Sequence, residues 1–313
     1  MYFPFIRGRQ YDLLALRELK GEDRLSKKII PIIEPIKLNS TLLSTIGIFE
    51  ENESDLILIS NPKVGSLDGE LSLPSTYQQY SEIMQKKCVR IGHHLSKNSP
   101  SELKTLIQEF NVTLKDLTII HSEKKNLRFY KEIFDDSKPW INVIPSDTSF
   151  RRQLNGQRLV GLTDPFNKLP RNSDYLKLEG DYEVFSEEHL YFNDEGYIGF
   201  SDYSIVGQEY NESGFAPYAV AIHVVYPNSE NHLEIKHFVS NSNKDISDPA
   251  GKFSEALEKL IKWYQSYSSD QRMNTLAMKC FTDHYNNGTY PGLPTLKKLS
   301  IMHHLELIGN LLD

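Results

Sequence analysis

The chain has 313 residues, 39% of them hydrophobic and 25% charged, and carries 15 Phe and 17 Tyr. That composition buries a core and excludes a disordered chain. A formal net charge of −7 weighs against nucleic-acid binding through bulk charge, and two cysteines without a CxxC pair weigh against a thiolate zinc site or a disulfide scaffold.

Residues 1–7 show no charged stretch followed by an apolar one, so no signal peptide is expected. No apolar run approaches the ~18 residues that span a bilayer. The chain is therefore expected in the cytoplasm, with no membrane partner.

Eight short apolar runs follow one another, at 2–6, 29–33, 55–60, 88–91, 117–121, 140–144, 158–162 and 197–200. Most are apolar nearly throughout, which is how strands buried on both faces read. Helix signals lie between them. Leu13, Leu16 and Leu19 precede Gly21, a C-cap candidate. Ser99, Pro100 and Glu102 form a capping box ahead of Leu103, Leu106, Ile107 and Phe110. Leu127, Tyr130 and Phe134 make another apolar stripe. The connection at 61–74, with Pro62, Gly65, Gly69 and Pro74, reads as a loop, and 183–190 reads as a helix.

This alternation predicts parallel βαβ units. Eight of them fit an α/β, TIM-like (β/α)8 barrel over 1–205. The alternative is an open doubly wound sheet, but Arg7-Gly8-Arg9 is no GxGxxG loop. Beyond 205 the runs 218–226 and 232–239 predict an antiparallel hairpin. Two helices follow, one carrying Phe253, Leu257, Leu260, Ile261 and Tyr264, the other running from about 295 to 312. Together 206–313 make a C-terminal extension. Phe281, Tyr285 and Tyr290 read as aromatics of a polar loop within it.

In a β/α barrel the chemistry sits at the carboxyl ends of the strands. Here those ends carry Arg7, Glu34, Asn61 with Lys63, His93 with His94, His121 with Glu123, Asp147, Asp164 and Asp202. Glu34 follows directly on a buried strand, where an unpaired carboxylate is costly. Its plain structural alternative is a salt bridge to a neighbour such as Arg7. Asp202 ranks second, with a turn cap as its alternative. Of His93 and His94 only one can face the mouth, because adjacent strand residues point to opposite faces. His303 and His304, without HExxH, read as structural or interface residues. Lys297 and Lys298 open a helix against its dipole, which fits an anionic partner or simply solvated lysines. There is no GxSxG elbow and no GxxxxGK[ST] loop.

The opening Tyr2 to Tyr11, followed by Ile30-Pro31-Ile32-Ile33-Glu34-Pro35, resembles the "beta family" proteins of bacteria and phages. The stretch Phe281 to Gly288, then Pro291-Gly292-Leu293-Pro294-Thr295 and Lys298 to His304, resembles the ending of a bacterial subgroup of that family. The resemblance implies a barrel-like fold in a phage-defence or mobile-element setting, beside a cognate partner protein encoded nearby. It carries over no catalytic residue.

Two readings of function stand. One is a defence or toxin–antitoxin-like component that acts with its partner through 206–313. The other is a metal-assisted, phosphodiester-type hydrolase. In that reading Glu34, Asp164 and Asp202 hold a divalent metal, Glu34, His93, His121 and Asp202 do the chemistry, and Arg7 and Lys63 hold an anionic group.

Overall fold

The computed structural model describes residues 1–211, 217–267 and 269–313. Two compact units interleave along the chain. The first takes Met1–Leu13, Lys27–Thr163 and Tyr191–Asp202; the second takes Leu14–Ser26, Asp164–Leu190 and Tyr203–Asp313. The chain crosses between them five times.

Strands β1 (Phe5–Arg7), β2 (Ile32–Glu34), β3 (Leu56–Ile59), β4 (Val89–His94), β5 (Thr118–Ile120), β6 (Ile141–Pro145) and β7 (Leu159–Thr163) lie side by side in chain order. Strand β8 (Tyr182–Ser186) leaves this sheet, and β9 (Gly199–Asp202) completes it beside β7. All seven pairings are parallel. Tyr2 bridges both Ile29 and Phe200, and Phe3 N donates to Phe200 O at 2.8 Å. The eight strands therefore curl into a nearly closed parallel barrel, and the two edges that an open sheet would expose meet. Each of the eight expected runs overlaps its strand.

Helices α1 (Gln10–Gly21), α2 (Ser40–Glu51), α3 (Leu67–Glu70), α4 (Pro74–Met84), α5 (Ser99–Phe110), α6 (Leu127–Ile133) and α7 (Thr148–Gln153) occupy the connections. Asn39 caps α2 by accepting from Leu42 N at 2.9 Å, and Leu42, Ile46 and Phe49 form its buried stripe. The stretch expected as a loop holds α3 and leads into α4. Pro74 stands at the first turn of α4, where a missing N–H costs nothing. Ser99 is not the cap of α5. Asn98 holds that position, while Ser99 Oγ accepts from Ser96 N at 2.8 Å.

In the second unit β10 (Ala221–Pro227) and β11 (Leu233–Val239) form the expected hairpin. A third strand, β8, pairs antiparallel with β11, so only the short α8 (Glu188–Tyr191) is helical where 183–190 was expected to be. Tyr182, Val184 and Phe185 supply the aromatic and β-branched content of a strand. Helix α9 (Pro249–Tyr264) covers one sheet face, with Trp263 against Phe238 and Tyr226 at ring distances of 5.3 and 5.0 Å.

Helices α10 (Leu276–Asn287) and α11 (Leu293–Leu312) close the chain. The expected polar loop around Phe281 is therefore a helix, and Phe281 is fully buried while Tyr285 stays exposed. Gly288 is its left-handed C-cap, at φ +59°. His303 and His304 are fully buried, and His303 Nε2 donates to Val225 O at 2.7 Å. Lys298 pairs with Glu18, and Glu306 pairs with Arg24 at 2.6 Å. Among the described residues no helix is long and apolar enough to cross a membrane.

Candidate acid–base site at the barrel mouth

Parallel strands bring their carboxyl ends to one rim, and Arg7 and Glu34 stand opposite each other there in register. Glu34 is completely buried. Three groups hold it: an ion pair with the Arg7 guanidinium, and hydrogen bonds from the Lys63 backbone N–H at 2.7 Å and His94 Nε2 at 3.1 Å, both on Oε1. The structural alternative of an Arg7 salt bridge is thus present, with two further partners added.

Local backbone sets this up. Gly65 has φ +83°, and a Cβ there would stand 2.2 Å from Ile36 O. Ser66 N donates to that same carbonyl at 2.7 Å. The loop after β3 is thereby folded onto the residues after β2, which carries Lys63 N to Glu34. Asn61 fixes the histidine. Its Oδ1 accepts from His94 N at 2.7 Å and its Nδ2 donates to His94 O at 3.0 Å.

A carboxylate facing Nε2 assigns the proton of neutral His94 to that nitrogen. Nδ1 then carries a lone pair. It is buried and has no hydrogen-bond partner among the described residues. Burial, with Lys63 and Arg7 nearby, pushes His94 down to about 3, so the imidazole is neutral at pH 7. Lys63 is lowered by burial, opposed by Glu123 and reinforced by Arg7, and its Nζ donates to Ser122 Oγ at 2.9 Å.

The other expected residues have partners of their own. His93 faces the helix layer, with Ser99 Oγ at 2.9 Å, Ser60 Oγ at 3.3 Å and Glu102 at 3.5 Å. Burial and His94 push it down to about 3. His121 donates to Asn142 Oδ1 at 2.8 Å beside Tyr130 and Phe150, and burial takes it to about 4. Asp202 accepts from the Tyr2 hydroxyl at 2.6 Å, and burial and that carboxylate raise the Tyr2 phenol well above its ordinary value. Asp164 belongs to the second unit and accepts from Gln208 N at 3.0 Å.

Among the described residues no group of three or more His, Cys, Asp and Glu is arranged to hold a metal ion. Of the expected trio, Glu34 and Asp202 belong to the first unit and Asp164 to the second. Each of these carboxylates is engaged by a different donor.

Sequence reasoning placed one histidine of the 93–94 pair at the mouth and preferred the other member. The alternation was legible, but register decides which member turns inward. Asn61 was visible at a strand end without any sign that it would clamp a backbone. No protein-family model, no curated protein and no solved structure matches the chain.

Proposed function

We propose that the first unit is a TIM-like (β/α)8 barrel that binds a small anionic compound at its mouth and moves a proton on it. The observation that carries this is the Glu34–His94 pair. A buried carboxylate fixes the imidazole tautomer, and the second ring nitrogen is left bare in a water-poor setting. That orients the ring to accept from a ligand's O–H or N–H, and a ring held to about 3 passes the proton on rather than keeping it. Arg7 and Lys63 stand beside it as the cations for a phosphate or carboxylate group.

The test is thermal unfolding with inorganic phosphate, sulfate and simple dicarboxylates, on the wild type and on Lys63→Met. Occupancy at a hundred times the dissociation constant stabilises by about 2.7 kcal/mol. At roughly 2–4 °C per kcal/mol, the midpoint rises by about 5–10 °C. No rise with any anion, or an equal rise in Lys63→Met, would sink the reading. Magnesium, manganese and zinc in the same melts test the hydrolase alternative.

A second reading, that the chain is a defence component acting with a cognate partner, rests on the "beta family" resemblance. One observation favours it: the edge strand β8 exposes Tyr182 and Val184, the latter 70% accessible. Stoichiometric co-purification of a neighbouring gene product, lost in Val184→Lys, is its test.

A further inference from the structure

The second unit carries a chain of titratable groups that the barrel reading does not use. His223 on β10 and His237 on β11 face each other in register. Their Nδ1 atoms are 2.7 Å apart, which leaves room for one proton between them. His237 Nε2 lies 3.2 Å from Glu183 Oε2 on β8, and Asn167 Nδ2 donates to Glu183 Oε1 at 2.8 Å.

The tautomers follow from the carboxylate. An ionised Glu183 only accepts, so His237 Nε2 carries a proton. His237 Nδ1 is then the acceptor, and His223 Nδ1 donates to it. His223 Nε2 is left with a lone pair. Nothing among the described residues hydrogen-bonds to that nitrogen, and the ring is only part-buried. Phe166 and Tyr175 stand edge-on to the ring at 5.3 and 4.9 Å. The Tyr175 hydroxyl is occupied elsewhere, between Asn167 O and Leu169 N.

We propose that Glu183, His237 and His223 form a proton relay, a second acid–base site that takes a proton at His223 Nε2 from a ligand presenting an acidic O–H or N–H. The balance is complete within the three side chains. A proton arrives on His223 Nε2, the Nδ1 proton of His223 passes to His237 Nδ1, and the Nε2 proton of His237 passes to Glu183. The end state has both imidazoles neutral in the opposite tautomer and Glu183 as a carboxylic acid donating to His237 Nε2. Both hydrogen bonds along the relay survive with their directions reversed, and no imidazolium is buried. Burial and His237 hold His223 down to about 3 as an isolated base, so the ring passes its proton on rather than keeping it. Burial also lowers His237, opposed by Glu183 and Asp181 and reinforced by Lys236. His237 and Glu183 are positioning residues, and His223 meets the ligand.

The experiment is ring ¹⁵N NMR of the full chain during a pH titration. On acidification both histidines are expected to swap tautomers together at a single midpoint. Glu183→Gln, which cannot store the proton, should lower that midpoint by at least one unit, tenfold in proton affinity. His237→Phe should abolish the joint swap while leaving His223 a simple titrating ring. Independent titration of the two rings to imidazolium overturns the relay. So does a midpoint in Glu183→Gln within 0.3 of a unit, roughly twofold, of the wild type.

Discussion

Acid should unfold the first unit well above the pH that titrates ordinary carboxylates. His93 and His121 are buried and neutral, with burial holding them to about 3 and about 4 against 6.5 for a free ring. Below 6.5 the unfolded chain binds protons that the folded one refuses. Their contribution to stability is therefore whole above 6.5 and falls as pH drops toward those folded values. From pH 7 to pH 5 each ring loses about 2 kcal/mol, about 4 kcal/mol for the pair. His94, held to about 3 by burial, Lys63 and Arg7, adds to this. Natural domains hold only about 5–15 kcal/mol in all. The assay is urea unfolding at pH 7, 6 and 5. Trp140, packed on Phe3 in the first unit, reports by fluorescence in a Trp263→Phe background. Replacing His93 and His121 by Gln should flatten the pH slope by about 4 kcal/mol over that range. A wild-type stability at pH 5 within about 1 kcal/mol of that at pH 7 would refute the reasoning.

Three further outcomes are expected from urea titrations. Glu34→Gln should cost about 3–5 kcal/mol, because it removes the carboxylate of a buried ion pair; a loss below about 1 kcal/mol would mean that the pair is dispensable. Phe281→Ala should cost about 3–5 kcal/mol and Tyr285→Ala less than about 0.5 kcal/mol, since one is fully buried and the other exposed. Gly65→Ala should cost more than about 1 kcal/mol, since its Cβ would overlap Ile36 O at φ +83°; an unchanged midpoint there would remove the loop from the account of how Glu34 is held.

The barrel was legible because its strands are buried on both faces, and such strands announce themselves as apolar runs whatever their partners. What was not legible depended on partners distant in sequence. Strand β8 reads as a helix until β11 supplies its ladder. Phe281 sits among Thr282, Asp283 and His284, and only its helix register turns it inward. At the mouth, Glu34 stood out because a charge ending an apolar strand is expensive. Its acceptance of His94 rather than His93 or His121 comes from the clamp that Asn61 places on the His94 backbone. The pairing of His223 with His237 had no sequence signal at all, because it needs the hairpin register to place two ordinary strand histidines across from each other.

Barrel closure joins Tyr2 to Phe200, and Tyr2 to Asp202 across a separation of 200 residues. On a ribosome adding about 5–20 residues per second, the first strand waits about 10–40 s for the last. Throughout that interval β1 can pair with β2 on one side only, and its other, apolar edge is open to any extended segment of a neighbouring nascent chain. The fold is thus most exposed to aggregation during its own synthesis, and yield should respond to translation speed and holding chaperones more than to the stability of the finished barrel.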